Sequence, residues 1–137
     1  MTGRHETPKL GTVGSGACFM KIEVKVLDGP PKVAVIKAEG YIEAVQSRLL
    51  RERLKQLEKE GVRRVVIDLE RVMFISSSGL SVLIAFVTEK KEQWGAEPVI
   101  LVKPTPTVME SIRTLGLEPL FSIADDEEAA LKRYGLQ

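Results

Sequence analysis

Cysteine and histidine are almost absent from this sequence, and their scarcity alone removes several chemistries. Cys18 is the only cysteine among 137 residues, so neither an intrachain disulfide nor a cysteine-built zinc site is available. That is compatible with a reducing compartment. His5 is the only histidine and lies near the start of the chain. There is no apolar run approaching the roughly 18 to 20 residues that a membrane helix needs. Met1 to Gly16 is polar and contains several glycines, without the apolar centre of a signal peptide. The expected location is cytoplasmic. An excess of one charge is missing too: 20 basic side chains face 19 acidic ones, for a net charge of +1. Nucleic acid and anionic membranes both reward clustered basic surface, so neither is an expected partner.

What is present describes one globular domain. At 137 residues the chain is too short for two ordinary domains. Its 44% hydrophobic and 28% charged residues suit a packed core rather than a disordered chain. Residues 1–19 read as a flexible leader and residues 20–137 as the domain. The leader contains Gly11-Thr12-Val13-Gly14-Ser15-Gly16, a glycine-rich run without the Lys-Ser or Lys-Thr pair of a phosphate-binding loop.

From Lys21 onward the pattern sharpens. Ile22, Val24 and Val26 alternate with Glu23 and Lys25, as in a strand with one buried face. Asp28-Gly29-Pro30-Pro31 is a turn, and Lys32 to Glu39 makes a second strand that Gly40 ends. Ile42, Val45, Leu49, Leu50, Leu54 and Leu57 recur at mostly three- and four-residue steps, which predicts an amphipathic helix stopped by Gly61. Val62 to Leu69 suits a strand buried on both faces. Further helices are predicted over Ser76 to Trp94, after Pro104-Thr105-Pro106, and from Asp125, with strands at Pro98 to Val102 and Leu120 to Ile123. The order β-β-α-β-α-β-α-β-α points to an α/β fold. It predicts a mixed, mostly parallel sheet of about five strands with the first hairpin at an edge, covered by about four helices.

Three consecutive serines, Ser76, Ser77 and Ser78, stand between a buried strand and an apolar helix. Two readings of them remain open. Serine is a favoured helix N-cap, because its oxygen accepts a hydrogen bond from a first-turn amide, and Ser76 is best placed for that. A helix start also presents free amides and a positive dipole end. A phosphate added there is tolerated, and its charge of about −1.5 to −2 mainly changes what the surface binds.

The run from Val65-Val66-Ile67-Asp68-Leu69 through Phe74-Ile75-Ser76-Ser77-Ser78-Gly79-Leu80 resembles a STAS domain of the anti-sigma-factor antagonist type. Gly40-Tyr41-Ile42-Glu43, and Pro104 through Gly116-Leu117 with Phe121, extend the resemblance over about residues 21 to 135. It implies a binding module switched by serine phosphorylation. The partner would be an anti-sigma-factor serine kinase, which would bind the ATP, so that no cofactor is expected on this chain. The implied phosphoacceptor is Ser77, with Ser76 and Ser78 as alternates, and the implied partner-binding residues are Glu43, Ser76, Ser78 and Gly79. Two positions depart from the family pattern: Ser76 replaces the usual aspartate, and Gly40-Tyr41-Ile42-Glu43 keeps a carboxylate only at its last position.

Catalysis is not expected. A serine nucleophile needs a base; the one histidine is in the leader, and no Gly-x-Ser-x-Gly elbow surrounds Ser77. The alternative function is a STAS scaffold or interaction subunit of a larger signalling assembly, not gated by phosphorylation, for which a homo-oligomer would be expected. Phe86 is expected in the core, whereas Trp94, near a helix end, is open between core packing and a partner anchor.

Overall fold

In the computed structural model of the protein, which describes residues 9–15 and 18–136, six strands form one sheet in chain order. They are β1 (Lys9–Ser15), β2 (Cys18–Leu27), β3 (Val33–Ile42), β4 (Arg64–Ile75), β5 (Val99–Val102) and β6 (Ser122–Ala124). β1, β2 and β3 pair antiparallel, and β3 through β6 pair parallel. The helices are α1 (Ala44–Lys59), α2 (Ser77–Trp94), α3 (Pro106–Thr114) and α4 (Glu127–Arg133). Each parallel connection runs through a helix, because parallel neighbours need a long crossover.

The mixed sheet, the antiparallel first hairpin and the four helices agree with the expectation from sequence. Two details differ. The sheet has a sixth strand, since Lys9–Ser15 pairs with β2 within the segment expected to be a leader. Residues 1–8, with His5, and residues 16 and 17 lie outside the described residues. Gly40 does not end a strand either; β3 continues through it to Ile42, its positive φ of 105° being open to glycine.

The sheet separates two apolar layers. Ile22, Ile36, Ile67 and Leu101 point to the face covered by α1, α2 and α3, which add Leu50, Leu54, Leu83 and Ile112. On the other face Val35, Val66 and Ile100 meet Ala130 and Leu131 of α4. β4 and β5 are therefore buried on both sides, as their continuous apolar runs predict. Burying each such side chain is worth about 1.5–3 kcal/mol.

The buried stripe of α1 is Gln46, Ser47, Leu50, Leu54 and Leu57. Val45, expected on that stripe, is 52% exposed. It sits one position off the three- and four-residue steps that face the sheet. Ser47 is buried at little cost because its hydroxyl donates to the Ala44 carbonyl at 2.9 Å.

Candidate partner-binding site

Two parallel strands ending together build the site. The pairing of β3 with β4 closes at Ile42 opposite Ile75. The next residue on each strand, Glu43 and Ser76, is the N-cap of the helix that follows. The amide of Ser76 donates to the Ile42 carbonyl at 2.8 Å and ties the two exits together. Glu43 and the serine run, 33 positions apart in sequence, thus share one rim of the sheet. Glu43 is half-buried, and its amide donates to Gln46 Oε1 at 3.2 Å.

The three serines divide the work. Ser76 has extended backbone, and its Oγ accepts from the Gly79 amide at 3.2 Å; its carbonyl accepts from the Leu80 amide at 2.9 Å. It is a helix cap in full. Ser77 and Ser78 are exposed in the first turn of α2, where amides lack intrahelical acceptors. Gly79 turns inward. A Cβ there would fall 2.7 Å from Ile75 Cγ1 and 2.9 Å from Ile42 Cγ2, closer than packed atoms approach. Gly79 therefore lets α2 sit against both strand ends. The resemblance implies it among the contact residues; in the fold it also seats the helix.

β4 itself shapes the surface beside Ser77. It was expected to stop at Leu69, yet it runs to Ile75 with two register shifts against β3. Each shift places one extra residue on β4: Lys37 and Glu39 pair with Asp68 and Arg71, and Gly40 and Tyr41 with Val72 and Phe74. Such bulges bend a strand and re-aim its side chains. Asp68 Oδ1 accepts from the Glu70 amide at 2.9 Å and holds the first one. Buried residues consequently fall at Leu69, Val72 and Ile75, a spacing of three, with Met73 and Phe74 left outside. Met73 is 60% exposed and Phe74 39%.

A depression of about 360 Å³ opens between this strand end and α3. Phe74, Ser76, Ser77 and Leu80 line one side, and Glu110, Thr114 and Leu115 the other. Leu115, the C-cap of α3, is 55% exposed there. The α3 start is fixed by Thr105, whose hydroxyl donates to the Val72 carbonyl at 3.0 Å and accepts from the Val108 amide at 3.4 Å. Ser77 thus lines the depression and Ser78 does not. Among the described residues no group of three or more His, Cys, Asp or Glu side chains could hold a metal. No helix among them is long and apolar enough to cross a membrane.

The exposed apolar side chains were not recognised in the sequence as surface. Met73 and Phe74 sit in a strand whose period-2 pattern is broken by the bulges, and no local signal marks them. Phe86 and Trp94 are both partly buried against the core.

The model of the STAS domain family matches residues 21–130. A proposed anti-sigma factor antagonist of Bordetella bronchiseptica, BtrV, is 29% identical over 115 residues, covering 84% of this chain and 95% of that protein. An anti-sigma factor antagonist from Mycobacterium paratuberculosis has a similar structure, with a TM-score of 0.65 and 26% identity over 83% of this chain and 94% of that one. The Bacillus cell fate determinant SpoIIAA in its phosphorylated form gives a TM-score of 0.60 at 23% identity, over 80% of this chain and 97% of that one.

Proposed function

The chain belongs to the STAS domain family, and from that membership we propose that it works as an anti-sigma-factor antagonist gated by phosphorylation of Ser77. Its partner in this reading is an anti-sigma-factor serine kinase. The unphosphorylated protein binds that kinase and so releases the sigma factor; phosphorylation ends the complex. In this reading the protein acts by binding and by being modified.

One observation carries the choice of residue: Ser77 is the exposed serine that lines the depression with Phe74 and Leu115. Ser76 spends its oxygen on the Gly79 amide, and Ser78 lies off the depression. The same surface explains the switch. Phe74 and Leu115 offer apolar area to a partner, and desolvating a phosphate beside them is costly. The amides at the start of α2 meanwhile accommodate the phosphate without unfolding the helix. Modification would thus abolish docking while leaving the fold intact. Glu43, on the same rim as the serines, extends the contact surface.

The test is to incubate the purified protein with ATP and the candidate anti-sigma kinases of its organism, and map phosphate by mass spectrometry. Phosphate on Ser77, lost in Ser77→Ala, is expected. If Ser76, Ser77 and Ser78 all stay unmodified while the protein assembles into a large homo-oligomer, it is a scaffold and the proposal fails.

A further inference from the structure

The other end of α2 carries a second feature that the serine surface does not use. A groove of about 630 Å³ runs between α1 and the middle of α2. Its floor is apolar, from Leu54, Val82 and Phe86. Its rim on α1 is basic: Arg51, Lys55 and Lys59 follow one another at four-residue steps. That spacing aligns them along one face, over about 12 Å at 1.5 Å per residue. Arg63 continues the row past the helix end.

The two acids of the groove, Glu58 and Glu89, are both committed to Lys90. Lys90 is 2% exposed; its Nζ donates to Glu58 Oε2, to Glu89 Oε1 at 2.6 Å and to Gln93 Oε1 at 3.1 Å. It also lies 5.7 Å from the centre of the Phe86 ring and 5.6 Å from that of Trp94. Those two rings meet edge to face at 5.6 Å. The acids are thus drawn to a buried ammonium, and the rim keeps an excess of positive charge. Among the described residues, neither Arg51 nor Lys59 makes a salt bridge.

We propose that the groove between α1 and α2 is a binding site for a small organic anion with a flat aromatic body, a carboxylate or a phosphate ester. The apolar floor with Phe86 takes the body, and Arg51, Lys55 and Lys59 take the charge. The volume lies within the range of about 300–1,000 Å³ found for small-molecule sites. The site is independent of the serine surface, and its test needs no kinase.

The chain has a single tryptophan, and its ring packs edge to face on Phe86 of the groove floor, so one indole N–H signal reports on that floor. The uniformly ¹⁵N-labelled full chain is titrated with 2-naphthyl phosphate, 2-naphthoate and the uncharged 2-naphthylmethanol. At least one anion should shift the Trp94 indole signal saturably and bind at least about tenfold more tightly than the alcohol, about 1.4 kcal/mol. The double variant Arg51→Glu/Lys55→Glu, at two exposed positions, should weaken that binding by about tenfold and keep a native spectrum. The proposal is overturned if neither anion moves the signal at millimolar concentration, or if the alcohol binds equally well. It is also overturned if the charge reversal has no effect, or if an acidic helical peptide moves the signal and the naphthyl anions do not.

Discussion

Replacing Gly79 by alanine isolates the contact that seats α2. The new Cβ would meet Ile75 Cγ1 at 2.7 Å, Ile42 Cγ2 at 2.9 Å and the Ile42 carbonyl oxygen at 3.3 Å. Both side chains are held in the core, at 2% and 1% exposure, so they have little room to yield. Overpacking of this kind costs about 1–3 kcal/mol. Alanine offsets part of that, since it is better than glycine in a helix by about 1 kcal/mol. The net expectation is a loss of about 0–2 kcal/mol, or up to roughly 10 °C in Tm for a domain of this size. Urea unfolding followed by circular dichroism measures it, with Ser78→Ala, one position away and exposed, as a control expected within about 0.5 kcal/mol of wild type. The variant should also displace the serine turn and weaken kinase binding. A Gly79→Ala protein more stable than wild type would refute the packing argument.

Other expectations follow from the same geometry. Ser76→Ala removes the cap on the Gly79 amide and should cost about 1 kcal/mol in a urea melt, while keeping Ser77, the proposed phosphoacceptor. Phe74→Ala and Leu115→Ala, at partly exposed positions, should leave stability nearly unchanged and lower kinase affinity by about tenfold each, read by titration calorimetry. Lys90→Ala should destabilise by about 2–3 kcal/mol, below the figure for a fully buried pair because Glu58 and Glu89 are partly exposed; Lys90→Met, which keeps the packing on Phe86 and Trp94, should cost about 1 kcal/mol or less. Burial opposes the charge of Lys90, yet its hydrogen bonds to Glu58 and Glu89 outweigh this and raise its pKa above 10.5. The hydrogen bond from Lys90 holds Glu89 below 4.5. Their contribution is therefore complete at neutral pH. It is lost as pH falls through the depressed Glu89 value and as pH rises through the raised Lys90 value. The stability gap between wild type and Lys90→Met, measured by urea melts across pH, should narrow at both ends.

Much of this architecture is legible in the residues, and the exceptions have physical causes. The Ser76 cap, the Gly61 stop and the doubly buried β5 follow from local rules about caps, positive φ and apolar runs. The full length of β4 does not. Past Leu69 its bulges replace the two-residue alternation with a three-residue one, and a reading based on alternation sees the strand end there. Val45 has the right residue type for a core and the wrong rotation about the helix, which depends on where the sheet lies. Lys90 inverts the rule that lysines face water, because Glu58, 32 positions away, folds next to it. Pairs of that kind are tertiary, and no spacing reveals them. The kinship of Glu43 with the serine run has the same origin, since only the register of β3 against β4 brings them side by side.

The central claim rests on one hydroxyl, so the most direct measurement compares the affinity of the partner kinase for the protein with and without phosphate on Ser77. The account predicts tight binding of the unmodified protein and at least a hundredfold weaker binding of the phosphorylated one, about 2.7 kcal/mol, with unchanged far-UV circular dichroism. Equal affinities for the two forms would contradict it.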